Sequence, residues 1–153
     1  MVFEKSQSIV VDIAKQIHQA NWSEGSHVST QTKAAQRISG EWQNAVLKHF
    51  GARFSREYLV AALAVGYERI DLVDMHEGVA FEMKVSPKNT HFEFYRDIFK
   101  LAVHNKENQH FKLNRLVFIT PKKGAEKLQS AFVKSVSTIA GEQLGFEVEV
   151  VGI

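Results

Sequence analysis

Asp71, Glu82 and Lys84 are the residues of this chain whose types and spacing could do chemistry together. They sit in "RIDLVDMHEGVAFEMK", residues 69–84, where one apolar-polar alternation, a turn and a second alternation follow one another. Two strands joined by a tight turn are expected, over 68–75 and 78–86. Side chains alternate between faces along a strand, so Glu82 and Lys84 share one face while Phe81, Met83 and Val85 take the other. On the first strand Asp71 shares a face with Arg69 and Val73, and Ile70 and Leu72 point away.

Whether the charged faces coincide depends on the turn. A two- or four-residue loop in "MHEG" puts Asp71 directly opposite Glu82, Ile70 against Met83 and Leu72 against Phe81. A three-residue loop with a bulge at Gly78 would set Asp71 against Met83 and move Asp74 onto the face of Glu82. The apolar matching favours the first register, with Asp74 in reserve. Two carboxylates face to face repel one another, and a divalent cation between them reverses the sign, since hard oxygen ligands suit Mg²⁺. A lysine next along the face is placed to orient an attacking water. Acid, acid and lysine on one sheet face describe metal-assisted phosphodiester hydrolysis.

The elements that must position these residues follow from periodicity. Ile9, Ile13 and Ile17 mark an amphipathic helix over 6–20, and Ala34, Ile38, Trp42 and Val46 mark a second over roughly 30–49. The polar stretch "NWSEGSHVS" between them reads as a loop. "EYLVAALAV", 57–65, suits a helix by its alanines and a buried strand by its length and apolarity, and the residues alone leave both open. A helix over 91–104 is expected to start at an N-cap Thr90 with Glu93 completing a capping box, and to bury Phe92, Tyr95, Phe99 and Ala102. A short strand over 113–120 ends at Pro121. One helix then carries Leu128, Phe132, Val136 and Ile139 on its stripe, stops at Gly145, and leads into the strand "FEVEV".

The chain of 153 residues is read as one domain, with 44% hydrophobic and 24% charged residues. It has no cysteine, which rules out disulfides and thiolate zinc sites. The first residues lack an apolar signal-peptide core and no apolar run would span a bilayer, so a cytoplasmic protein without a membrane partner is expected. A net charge of +2, from 19 basic and 17 acidic residues, permits a nucleic-acid partner without arguing for one.

With these residues in place, the chain resembles the PD-(D/E)XK nuclease superfamily, the restriction-endonuclease-like fold. The resemblance covers roughly 35–120 and rests on Asp71, then Glu82-Met83-Lys84 on the next strand. Ile70 stands where the motif has its proline. It implies an αβββαβ core, here with an N-terminal helix and a C-terminal αβ extension, forming a mixed sheet of four to five strands flanked by helices. It also makes 57–65 the first strand. It implies a nuclease using Mg²⁺ or Mn²⁺, with DNA favoured over RNA and an endonuclease or junction-resolving activity. Asp71, Glu82, the Met83 backbone carbonyl and Glu41 of the leading helix would hold the metal, and Lys84 would serve catalysis. A homodimer is expected, since cutting both strands of a duplex needs two sites. The alternative is a catalytically silent nuclease-like fold, acting as a protein- or nucleic-acid-binding module in a defence or toxin system.

Other charged residues have plainer readings. Arg69, Lys88, Arg96 and Lys100 are candidate nucleic-acid contacts, though Glu93, Arg96, Asp97 and Lys100 also have the spacing of surface helix pairs. The seven histidines do not cluster at ligand spacing. Phe92, Phe94, Tyr95 and Phe99 read as core or a dimer interface.

Overall fold

A computed structural model describes residues 5–22, 28–62 and 67–153. The middle of the expected 21–29 loop, and residues 63–65 of the open 57–65 stretch with residue 66 after them, lie outside the described residues. Helices α1 (Gln7–Asn21) and α2 (Val28–Phe50) lead through a 3₁₀ turn into strands β1 (Phe54–Ala62), β2 (Tyr67–Asp74) and β3 (Val79–Met83). Helix α3 (Thr90–Glu107), β4 (Arg115–Thr120), α4 (Lys122–Lys127), α5 (Ala131–Ile139), a π-helical turn (Ala140–Leu144) and β5 (Glu147–Gly152) follow. The stretch that propensity left open is therefore strand β1 over its described part.

The five strands form one mixed sheet in chain order, β1-β2-β3-β4-β5. The β1–β2 and β2–β3 pairs are antiparallel, and β3–β4 and β4–β5 are parallel, so β2 alone runs against the rest. Two parallel crossovers in the same direction, each right-handed by rule, put α3 and α5 on one face. Phe94, Ile98 and Leu101 of α3 and Val133 of α5 accordingly pack there with Val60, Val73, Ala80 and Phe118. The opposite face is covered by α1 and α2, where Val10, Ala14, Ile38, Trp42 and Val46 meet Leu72, Phe81, Met83, Val117 and Ile119. The Ile38-Trp42-Val46 stripe is as expected, and the Trp42 indole N–H donates to the Val10 carbonyl at 3.1 Å. In α1 the deepest residues are Val10 and Ala14, one position on from the isoleucines.

Two helical expectations need correction. Thr90 is the first residue of α3 and not its cap: Asn89, left-handed at φ 54°, takes that place, and the Thr90 hydroxyl donates to the Pro87 carbonyl at 2.7 Å. The buried face of α3 is Phe94, Asp97, Ile98, Lys100, Leu101, His104 and Asn105, while Phe92 and Phe99 are exposed. Polar residues on this face are tied down individually. Asn105 Nδ2 donates to the Leu113 carbonyl at 2.7 Å and Asn105 Oδ1 accepts from Leu113 N–H at 2.8 Å, fixing the chain as it approaches β4. The single helix expected before Gly145 is broken after Lys127, because Ser130 caps a new one by accepting from Val133 N–H at 3.2 Å. Gly145 is left-handed at φ 80°, the stop its position suggested.

Candidate active site

The β2–β3 turn has four residues, Met75 to Gly78, between the paired Asp74 and Val79. Leu72 stands opposite Phe81, the register that apolar matching favoured. Gly78 is required in this turn: its φ is 68°, and a Cβ there would lie 2.8 Å from the Lys112 carbonyl oxygen. Asp74, the reserve candidate, is wholly buried and structural. It accepts from Ser6 Oγ at 2.6 Å, from Arg53 at 2.8 and 3.1 Å, and from the turn's His76 and Glu77 N–H groups at 3.0 and 3.3 Å. Burial pushes its carboxyl up, but these hydrogen bonds outweigh that and hold it below the usual aspartate range.

One step further along the hairpin, the backbone ladder recorded from Asp74 to Leu72 stops and side chains take over. Met83 N–H donates to Asp71 Oδ2 at 3.0 Å, and Asp71 N–H makes a long 3.4 Å contact with Glu82 Oε1. The hairpin thus opens at the two acids and brings them side by side. The same row is irregular in β1, where Arg56 pairs with Leu72 and Tyr58 with Ile70 while Glu57 between them has φ 47°. Here the alternation breaks, which corrects the expected shared face of Ile70 and Leu72. Leu72 packs with Phe81 and Met83 under α1 and α2, whereas Ile70 joins Val73 and Ala80 under α3.

The charged face is largely covered, because α3 lies across it and leaves Lys84 20% and Glu93 32% exposed. Lys100 Nζ donates to Glu82 Oε1 at 2.7 Å and to the Arg69 carbonyl at 2.7 Å, and sits 2.9 Å from Asp97 Oδ1. Lys84 Nζ is 3.1 Å from Glu93, 3.5 Å from Asp97 and 3.9 Å from Glu82. Glu93 therefore serves Lys84 and not the capping box expected of it. Four carboxyls (Asp71, Glu82, Glu93, Asp97) surround two ammonium groups (Lys84, Lys100), an excess of two negative charges when all are ionised.

Burial raises the Glu82 carboxyl well above its ordinary value, and the neighbouring Asp71 and Asp97 raise it further against the pull of both lysines. Asp71 is also raised, by burial first, with Lys84 and the Met83 N–H opposing. Burial alone would lower Lys84, but Asp97, Glu82, Asp71 and Glu93 together hold it protonated above the usual lysine range.

An open cleft of about 450 Å³ adjoins this cluster, lined by Gln43, Arg56, Glu57, Met83, Lys84 and Lys88 among others. Asp71 and Glu82 are not on its wall and border it through Met83 and Lys84. Glu41 is absent from the cleft: it is exposed on α2 and lies 3.8 Å from Arg37, because it precedes the buried Trp42 and faces outward. Gln43, two positions on, is buried and donates to Glu57 Oε1 at 2.9 Å. Of the candidate nucleic-acid contacts, Lys88 lines the cleft and Arg69 is exposed. Arg96 is bound to Glu68 at 2.7 Å, and Lys100 is buried among carboxylates, so Lys100 is corrected from a phosphate contact to a member of the cluster. The sequence reading missed Asp97, Glu57 and Arg56. Asp97 lies three residues from Lys100, but that spacing is equally that of a surface pair.

Among the described residues, no group of three or more His, Cys, Asp or Glu side chains is arranged to hold a metal ion. Two acids, Asp71 and Glu82, are what this hairpin offers, and Asp71 Oδ1 carries no hydrogen bond among the described residues. No helix among them is long and apolar enough to cross a membrane. Comparison with known protein families, curated proteins and solved structures finds no match for this chain.

Proposed function

We propose that the chain is a metal-dependent nuclease of the PD-(D/E)XK type, hydrolysing phosphodiester bonds with DNA as the favoured substrate. The observation that carries the reading is the opening of the β2–β3 ladder at Asp71 and Glu82, with Lys84 on the same face beside them. The element order and a five-stranded sheet in which only β2 runs antiparallel support it. With all four carboxyls ionised, the excess of two negative charges would match one divalent cation.

Asp71 and Glu82 would hold Mg²⁺ or Mn²⁺ with the Met83 backbone carbonyl. When bound, the cation would polarise the scissile phosphate and neutralise charge developing on it. Lys84, on the cleft wall and kept protonated by its carboxylates, would donate to the attacking water or to a phosphate oxygen. Lys100 grips Glu82 Oε1, and Glu82 Oε2, 3.9 Å from the Lys84 ammonium, is the oxygen that would meet the cation. Arg56 and Lys88 in the cleft would meet the nucleic-acid backbone. Glu41 has no part in this arrangement.

One observation favours a second reading. Lys100 and Lys84 already neutralise half of the carboxylates, and a cluster held together in this way without a metal also serves a catalytically silent binding module. Incubation with plasmid, branched DNA and RNA, each with Mg²⁺, with Mn²⁺ and with chelator, separates the two. Cleavage that needs the metal and is lost in Glu82→Ala supports the nuclease. Retained nucleic-acid binding with no cleavage under any condition supports the module.

A further inference from the structure

Of the two stripes that periodicity assigned to the core, Phe92 and Phe99 on α3 and Phe132 and Ile139 on α5 stand outside it, while Tyr95 and Val136 pack against its edge. Each helix buries the neighbouring stripe instead, through Phe94, Ile98 and Leu101 on α3 and Val133 on α5. Phe92, Phe99 and Phe132 are left 66%, 68% and 67% exposed, with Val103, Ile139 and Leu144 exposed around them. A groove of about 500 Å³ runs between the helices, every one of its lining residues aromatic or aliphatic, and Tyr95 and Phe132 bridge it edge to face at 6.1 Å. Aliphatic and aromatic side chains gathered this way lose hydration favourably on any contact, and a surface with no polar lining has little to hold a polar ligand.

We infer that this α3/α5 face is where two copies of the chain associate. The three phenylalanines and their apolar neighbours present roughly 600–700 Å² of apolar surface, given the area an aromatic side chain can bury. That exceeds what an isolated monomer usually leaves open and approaches the roughly 800 Å² per partner of a stable interface, before any polar rim is counted. The shape selects a second copy over a foreign chain. Projecting phenylalanines and a receiving groove lie on the same patch, so a two-fold axis lets each protomer's side chains enter its partner's groove. The inner side of α3 carries Lys100 and Asp97, so the helix that braces the acid cluster would be clamped from outside by the partner. The inference does not depend on the nuclease reading, because the acids lie on the other side of the helix.

The test is the mass of the full chain in solution, by sedimentation or light scattering across a wide range of protein concentration. Wild type should have twice the mass of the chain. Phe99→Glu and Phe132→Glu, on different helices and both at exposed positions, should each be monomeric with an unchanged circular dichroism spectrum. Two variants guard against one failing to fold, and the apo melting curve identifies such a failure. Wild type monomeric at every concentration overturns the proposal, as does a dimer that persists in both variants. A monomeric wild type that partitions onto phosphatidylcholine vesicles, and loses this in Phe99→Glu, would give the face to lipid and also overturn it.

Discussion

Lys100, on the helix that follows the hairpin, places its ammonium 2.7 Å from Glu82 Oε1 and 2.9 Å from Asp97 Oδ1, with all three residues buried. A buried charge deprived of its partner is expensive, commonly about 3–5 kcal/mol. Lys100→Met should therefore lower the stability of the metal-free protein by about 3 kcal/mol. Because the variant has one more uncompensated negative charge beside Asp71, Mg²⁺ should recover part of that loss. Melts with chelator and with Mg²⁺ read both effects. A metal-induced shift no larger than that of wild type would mean that Lys100 does not stand in for a cation.

Asp71 and Asp74 are three residues apart on one strand and should respond in opposite ways. Asp74 is held by Ser6, Arg53 and the turn, so Asp74→Ala should cost about 3 kcal/mol in urea unfolding. Asp71 faces Glu82, and Asn at this position keeps an acceptor for the Met83 N–H while removing a charge. Asp71→Asn should leave metal-free stability equal to wild type or higher, as happens at sites where function is held against stability. A loss as large as that of Asp74→Ala would make Asp71 structural.

Raised carboxyls give the pH dependence its sign. Asp71 and Glu82 bind protons more tightly in the folded chain than in the unfolded one. Their contribution to stability is present below the ordinary carboxylate range and is lost as pH rises through their raised folded values. Metal-free protein should thus lose stability over that interval, and added Mg²⁺ should stabilise it more at its upper end, where the ligands are deprotonated. Glu82→Gln should flatten both trends. Asp74 works the other way: its lowered value supplies stability above the ordinary range that is lost as pH falls through the folded value. Melting curves of the two proteins over pH, with and without metal, check this.

Glu41 is exposed and paired only with Arg37 at 3.8 Å among the described contacts. Glu41→Ala should change stability by no more than about 0.5 kcal/mol and leave any metal response intact. A lost metal response in this variant, measured by the same melts, would restore it to the site.

What could be read from the residues divides along a physical line. The hairpin register was legible because one residue of slip would have turned Leu72 away from Phe81, and apolar matching on both strands agreed on one answer. The acid pair and Lys84 followed from that register. The buried face of α3 was not legible, because it carries Asp97, Lys100, His104 and Asn105, each with a partner that lies far away in sequence or in the next loop. Periodicity prefers the cleaner stripe of Phe92, Tyr95 and Phe99, of which Phe92 and Phe99 face out and Tyr95 lies at the edge of the core. The irregularity at Glu57, beside which Ile70 and Leu72 fall on opposite faces, has no local signal such as glycine. The break between α4 and α5 did have one, since Ser130 precedes an apolar run and acts as its cap.

The most direct measurement is cleavage of a labelled DNA duplex or junction by wild type and by Glu82→Gln, with Mn²⁺ and with chelator. The amide keeps the size of the side chain and an acceptor for Lys100, so a folded variant is expected. Wild type should cleave only with the metal, and Glu82→Gln should lose at least about 100-fold, equivalent to about 2.7 kcal/mol of barrier. Equal cleavage by the two proteins, or cleavage that continues undiminished in chelator, would contradict the nuclease reading.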